Sequence, residues 1–371
     1  MKEDPSVDCI IWIQTAFLGD IILSTAAFDL VKQLKPNCRQ YLITTPIGHK
    51  ALHDHRALDG VVSLDKRQGR FIHDARIIKT KISQQISNPK TTYILQPHTS
   101  FRSSLLAKYL NFKTITYKET SLSFLAKTTI DRVAVLHETE RIALLSTPLG
   151  VKRRMIFGIK PSLSPLPLNS SVDWQMRLKE SRSRHSAQKI EITRPKTRQQ
   201  TPNINWIAIA PGSVWGTKRW PKERYIELIK ELHSKEDNSF LLLGSASERE
   251  ICLQIENEVN SDKLINLAGQ TSLDDLRRIY PHLSLLISND SSALHFASAF
   301  DTPTLAIFGA TTPQMGFAPL STKHDIAEIK TLTCRPCSDH GPMVCPLGHF
   351  HCMNHISAID VAQKAYKLLS H

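Results

Sequence analysis

At 371 residues, 41% of them apolar and 22% charged, the chain is too long for one ordinary domain and too apolar to be disordered; two domains of about 150 to 180 residues each would fit. No apolar run approaches the ~20 residues that span a bilayer, and the acidic start MKEDPSVD lacks a secretory pattern, so a cytosolic protein is expected, with its seven cysteines as thiols or metal ligands rather than disulfides. The formal charge of +13 is uneven: residues 1–130 carry 18 Lys/Arg against 10 Asp/Glu, residues 151–200 carry 12 against 3, and residues 201–371 carry 15 against 18. So basic a front half points to an anionic partner, whether nucleic acid, an anionic membrane face or a phosphorylated substrate.

In chain order, residues 8–14 (DCIIWIQ), 39–45 (RQYLITT), 60–65 (GVVSLD), 91–97 (TTYILQP) and 131–137 (DRVAVLH) read as short β-rich strands. STAAFDLVKQLK and RSSLLAKYL read as helices between them. The rhythm restarts near residue 203 with the strand NWIAIAPG and the helix PKERYIELIKELHS, which has Pro221 at an early position. FLLLGS, ASEREICLQIENEV, KLINLAG, SLDDLRRIYPH, LSLLISND and TPTLAIFG continue it. Strand–helix alternation of this kind predicts parallel sheets covered by helices, an α/β chain. The expected organisation is a doubly wound domain over 1–158, a Pro-, Ser- and Arg-rich linker or insertion over 159–202, and a second doubly wound domain over 203–371 with a cysteine-rich tail segment at 334–352. Ligands in such sheets bind beyond the carboxyl ends of the strands.

Four strand-end loops carry residues suited to chemistry. IIWIQTAFLGDIILS (10–24) runs from strand through a turn at Gly19 into a helix, with Asp20 between apolar neighbours as either a helix-capping acid or a functional carboxylate. APGSVWGTKRWP (210–221) offers Gly212 and Gly216 for close backbone approach, the Ser213 hydroxyl, and Lys218 as a cation for phosphate. In LISNDSSALHFA (286–297), Asp290, Ser291 and Ser292 cap a helix whose N-terminal amides suit a diphosphate; His295, one turn in, fits a core histidine as well as a ligand. Glu248, in LLLGSASERE, stands where a carboxylate can accept from ribose hydroxyls, or where a first-turn acid favours its helix. No G-x-G-x-x-G and no P-loop Lys-Ser/Thr pair occurs among these loops, which argues against dinucleotide oxidoreductases and P-loop ATPases.

Taken together, FLGD, PGSVWGTKRWP, GSASERE, NLAGQTSL, SNDSSALHFASAFDTPTLAIFGATTP and CRPCSDHGPMVCPLGHFHCM resemble, in order, the ADP-heptose:lipopolysaccharide heptosyltransferases of glycosyltransferase family 9, most nearly the heptosyltransferase II type. The resemblance covers most of the chain except roughly 160–202. It implies a GT-B fold, two Rossmann-like domains facing a central cleft. It also implies inverting transfer of L-glycero-D-manno-heptose from ADP-heptose to the lipopolysaccharide inner core, with no required cofactor. By position, Ser213, Val214 and Lys218 would meet the sugar diphosphate, Glu248 the ribose and Thr271 the adenosine. Gly19, Asp290, Ser291, Ser292 and His295 would line the donor site. Asp20 would be the general base, with Lys218 stabilising charge. The family often has Gly where Ser292 stands.

The basic front half then suits a Kdo-lipid A or heptosylated inner-core acceptor on the anionic inner-membrane leaflet, which implies a cytoplasmic enzyme peripheral to that membrane. Lys66, Arg67, Arg70 and Arg102 are the expected acceptor contacts. Cys334, Cys337, Cys345 and Cys352, spaced C-x₂-C-x₇-C-x₆-C, fit either a structural zinc outside the chemistry or a reduced cluster. Two other readings stay open: a GT-B transferase using another nucleotide sugar, and a basic zinc-containing nucleic-acid-binding protein. Against the second, the basic segments hold no interleaved aromatics and no reader motif, so no nucleic-acid partner is expected.

Overall fold

The computed structural model describes residues 6–65, 71–167, 204–234 and 238–370. The chain divides into two compact units, residues 1–164 and 165–371.

Unit 1 holds strands β1 (Cys9–Gln14), β2 (Arg39–Thr44), β3 (Gly60–Ser63), β4 (Thr92–Gln96), β5 (Lys113–Tyr117) and β6 (Thr128–Ile130), all parallel, in the order β3-β2-β1-β4-β5-β6. Helices α1 (Leu18–Leu34), α2 (Pro46–Leu52), α3 (Phe71–Gln85), α4 (Phe101–Leu110) and α5 (Glu138–Leu144) flank it. CIIWIQ is buried throughout, as an unbroken apolar run must be when helices cover both faces of a parallel sheet. One core gathers Ile11, Ile13, Ile43, Ile94 and Leu106. Helix α1 is buried along most of its length because α5 packs on it as well as the sheet.

Unit 2 repeats the winding. Strands β7 (Asn205–Ala210), β8 (Asn238–Leu242), β9 (Leu264–Asn266), β10 (Leu285–Asn289), β11 (Thr304–Phe308) and β12 (His324–Glu328) are parallel in the order β12-β11-β10-β7-β8-β9. Its helices are α6 (Lys222–His233), α7 (Arg249–Val259), α8 (Leu273–Ile279), α9 (Ser292–Ala299), α10 (His351–Asn354) and α11 (Ala358–Leu369). Ile207, Leu228, Phe240, Ile287 and Val361 share its core, with α11 laid against α6. In each unit the winding direction reverses between the first and fourth strands, β1/β4 and β7/β10. Loops diverging from such a switch point leave a crevice at the carboxyl edge.

Two expectations change. DRVAVLH forms no strand: Arg141 donates its Nε to the Val133 carbonyl (3.2 Å) and a terminal NH2 to that of Ala134, so these groups pair with a guanidinium rather than a sheet, and Val135 is 87% exposed. The segment expected to link the domains begins on unit 1, where the Ser162 N–H donates to Thr25 Oγ1 (2.9 Å) and Leu163 is buried. Its residues 168–202 lie outside the described residues, as do Lys66, Arg67 and Arg70. Among the described residues no helix is long and apolar enough to cross a membrane.

Candidate active site

In unit 2 the loops after β7 and β10 meet at the switch point, and Asn289, the fully buried last residue of β10, fastens them. Its Nδ2 donates to the Pro211 carbonyl (2.7 Å), and its Oδ1 accepts from the Trp220 N–H (3.1 Å) and the Tyr225 hydroxyl (2.9 Å). The phosphate-type loop 211–218 is thereby pinned to the strand bearing Asp290. Arg219 braces the same loop by donating Nε to the Ser213 carbonyl at 2.7 Å. Ser213 is buried, and Val214 beside it is exposed.

Lys218 points inward. Its Nζ lies 2.6 Å from Asp290 Oδ2, with the side chains only 13% and 8% exposed. Thr311 Oγ1 donates to the same carboxylate oxygen at 2.7 Å. One residue on, Ser291 caps α9, its Oγ accepting from the Ala293 N–H (3.3 Å), and Ser292 opens the helix exposed. His295 is buried, its ring centroid 6.1 Å from that of Phe317.

Glu248 fills two roles. Its Oε2 accepts from the Ser245 N–H (2.7 Å) and hydroxyl (2.8 Å), closing its own turn. The carboxylate also lies on Gly212, where an added Cβ would come within 1.9 Å of Oε1. Only glycine admits that approach, so the two loops share one surface. Thr271 is half-buried on the loop after β9, just before Ser272 caps α8.

The cysteine tail acts differently from a metal clip. Among the described residues no three His, Cys, Asp or Glu side chains form a group that could hold a metal ion, so the zinc considered from spacing is not built. Cys352 belongs to the core beside Met353 and Ile356, whereas Cys334, Cys337 and Cys345 are half-buried in loops. The tail instead covers the phosphate-type loop: Thr217 donates its N–H (3.2 Å) and hydroxyl to the Pro342 carbonyl, and a Cβ on Gly216 would meet the Met343 carbonyl at 2.2 Å. Arg335, its side chain 4% exposed, donates to the Thr311 carbonyl (2.8 Å) and Glu328 Oε2 (3.0 Å), fixing the residue that supports Asp290.

Asp20 is in unit 1, at the third position of α1, next to buried Gly19. A helix N-terminus ordinarily favours an ionised carboxylate. Here burial pushes the acid up to about 7, the Glu138 carboxylate adds to that, and the Phe17 backbone N–H and Arg132 oppose it. Glu138 is itself buried and shared by Arg132 and by Arg141 NH1 at 3.0 Å. A half-buried carboxylate with such a pKa can take a proton near neutral pH. Arg102 is exposed on the first turn of α4.

Two Rossmann-like sheets of the same strand order, one in each unit, are the architecture of the GT-B fold. More narrowly, the chain belongs to glycosyltransferase family 9 (heptosyltransferase), whose model matches residues 80–346. Over 129 residues it is 34% identical to lipopolysaccharide heptosyltransferase 2 of Salmonella typhimurium, covering 34% of this chain and 36% of the relative; the chain thus spans about a third of the length of the first curated relatives it matches. With lipooligosaccharide heptosyltransferase 2 of Haemophilus ducreyi the similarity extends over 324 residues at 25% identity, 82% of this chain and 84% of the relative. The solved structure of E. coli ADP-heptose lps heptosyltransferase II has a TM-score of 0.71 at 19% identity, over 97% of this chain and 98% of that one, a likeness of fold.

Proposed function

We propose that the protein transfers L-glycero-D-manno-heptose from ADP-heptose to the inner core of lipopolysaccharide with inversion, adding the second heptose. Unit 2 would bind the donor and unit 1 the acceptor. The observation that carries the reading is Asp20, an acid with a pKa near 7 at the carboxyl edge of the unit 1 sheet. As base it removes the proton of the acceptor hydroxyl while that oxygen bonds to the anomeric carbon, on the face opposite the diphosphate. The bond from that carbon to the diphosphate oxygen breaks through an oxocarbenium-like transition state, and its electrons leave on ADP. ADP is a stable anion, so the departure needs no acid and no cofactor. Lys218 and the amides that open α9 answer its charge.

On this reading Ser213 and Val214 meet the diphosphate, Glu248 the ribose and Thr271 the adenosine, while Gly19, Asp290, Ser291, Ser292 and His295 complete the donor side. Lys66, Arg67, Arg70 and Arg102 would meet acceptor carboxylates and phosphates. A peripheral position on the anionic cytoplasmic leaflet is supported by α4, where Phe101, Leu105 and Tyr109 recur every fourth residue on the exposed surface among Arg102 and Lys108. Lys79 lies over the Tyr109 ring at 4.7 Å.

The test is transfer from ADP-heptose to a heptose-bearing Kdo₂–lipid A acceptor with chelator present, reading product anomeric configuration by NMR. Turnover with an inverted linkage is expected. ADP binding without turnover would reject the sugar or the acceptor, and a retained linkage would reject the single-displacement mechanism.

A further inference from the structure

Asp290 accepts from two side chains, and the reaction proposed above uses only one of them. Lys218 Nζ and Thr311 Oγ1 both donate to its Oδ2, at 2.6 and 2.7 Å. They arrive from opposite sides: Lys218 lies on the loop after β7 and Thr311 on the loop after β11, the two strands that flank β10. The cysteine tail fixes both. The Cys337 N–H donates to the Ala310 carbonyl (2.9 Å) and Arg335 to that of Thr311 (2.8 Å). Gly341, at φ +77°, lies between the two loops, where a Cβ would stand 3.4 Å from Lys218 Cγ and 3.5 Å from Ala310 Cβ.

The hydrogen bonds of these three side chains can be counted. Among the described residues Lys218 has one acceptor, Asp290 Oδ2, for its three N–H bonds, and Thr311 Oγ1 has that same oxygen as its one partner. The Asp290 carboxylate, its side chain 8% exposed, takes no hydrogen bond besides these two among the described residues. Lys218 therefore keeps two donors for a phosphate, but turning toward one loosens the contact that balances a nearly buried charge. A carboxylate left without a donor in such a place is strongly disfavoured. Thr311, 2% exposed, is the donor that stays. Its proton also draws charge from the oxygen that the lysine leaves.

We propose that Thr311 is a positioning residue for the donor diphosphate: its hydroxyl holds and partly neutralises Asp290, so that Lys218 can turn its charge to the phosphate. This deepens the donor assignment above and rests on Lys218 meeting the sugar diphosphate. Thr311 acts through Asp290 rather than on the ligand, with Arg335 and Cys337 holding its stretch of backbone against the tail.

The test titrates ADP into the full-length protein and its Thr311→Val, Thr311→Ala and Thr311→Ser variants by calorimetry, in wild-type and Asp290→Asn backgrounds, alongside steady-state transfer. Thr311→Val keeps the side-chain shape and loses the hydroxyl. It is expected to weaken ADP binding and raise donor KM about tenfold or more, the size of one hydrogen bond to a charged group, with acceptor KM within about twofold of wild type. Thr311→Ser, which keeps a hydroxyl, should bind ADP within about threefold of wild type. In the Asp290→Asn background, where no carboxylate needs a partner, Thr311→Val should change ADP affinity less than about twofold. Thr311→Ala should follow the same pattern and serves if Thr311→Val does not fold. Unchanged ADP affinity in Thr311→Val or Thr311→Ala, an equal loss in the Asp290→Asn background, or Thr311→Ser as weak as Thr311→Val would each overturn the positioning role. A wild type that does not bind ADP would overturn it together with the donor assignment. A wild type that binds ADP and transfers no heptose would instead reject the proposed reaction, with Thr311 still judged by the titrations.

Discussion

Replacing Asp20 by Asn should cost activity and gain stability at once, and the two effects separate by pH. Removing a general base lowers transfer ~10²- to 10⁴-fold, or about 3 to 5 kcal/mol of transition-state stabilisation. The same carboxylate is held in the fold at about 7 instead of 3.8, roughly three units, chiefly by burial and then by Glu138. The folded state therefore retains a proton that the unfolded chain has released, and stability falls as pH rises from about 4 to about 7. Above pH 7 the ionised acid costs up to about 4 kcal/mol, a cost Asn does not carry. Asp20→Asn should thus melt several degrees above wild type at pH 8 and nearly with it at pH 4, measured by calorimetry at matched ionic strength. Wild-type kcat/KM should rise with pH through about 7. Near-wild-type transfer by the variant, or an equal melting shift at both pH values, would refute the reasoning.

Lys218→Met should strand the Asp290 carboxylate, lowering stability by about 3 to 5 kcal/mol and ADP affinity at least tenfold. Adding Asp290→Asn should restore the melting temperature but not ADP binding, with thermal melts and calorimetry separating the two. Gly212→Ala forces a methyl into the Glu248 carboxylate and should cost about 1 to 3 kcal/mol by thermal melt, much less in a Glu248→Ala background. Asn289→Ala leaves the buried Trp220 N–H and Tyr225 hydroxyl without an acceptor; a loss of about 2 to 4 kcal/mol should appear as a lower denaturant midpoint at unchanged slope.

Central strands are legible in this sequence because burial on both faces demands unbroken apolar runs, as in CIIWIQ and the LLIS of β10. Edge strands are less so: GVVS of β3 and LIN of β9 still stand out, but TTI of β6 and HDIAE of β12, each with a neighbour on one side only, have no such run. DRVAVLH carries the opposite error, an apolar pattern whose carbonyls are taken by Arg141. Candidate loops stand out through local chemistry: Gly19, Gly212, Lys218 and Asp290 each follow a strand closely. What holds those loops joins distant residues. Asn289 binds Pro211 across 78 positions, Pro342 covers Thr217 across 125, and His98 meets Thr15 across 83, so no local pattern announces them. The cysteine spacing left a zinc and a reduced cluster both open, and spacing alone does not show that Cys352 belongs to the core.

If the donor diphosphate binds at Lys218 as proposed, the Lys218–Asp290 pair makes the phosphate-type loop an exchange site. Any anion reaching Lys218 arrives as a rival to a carboxylate already 2.6 Å from the ammonium and supported by Thr311. A neutral sugar offers nothing in that contest, and a singly charged group only matches what it displaces. A diphosphate brings more negative charge than the carboxylate it replaces and can draw on the α9 amides as well. On the proposed reading, Asp290 would retake the lysine when the diphosphate departs. The protein itself would then supply a counter-ion that opposes lingering by the spent nucleotide, so selectivity for charge and turnover would come from one contact.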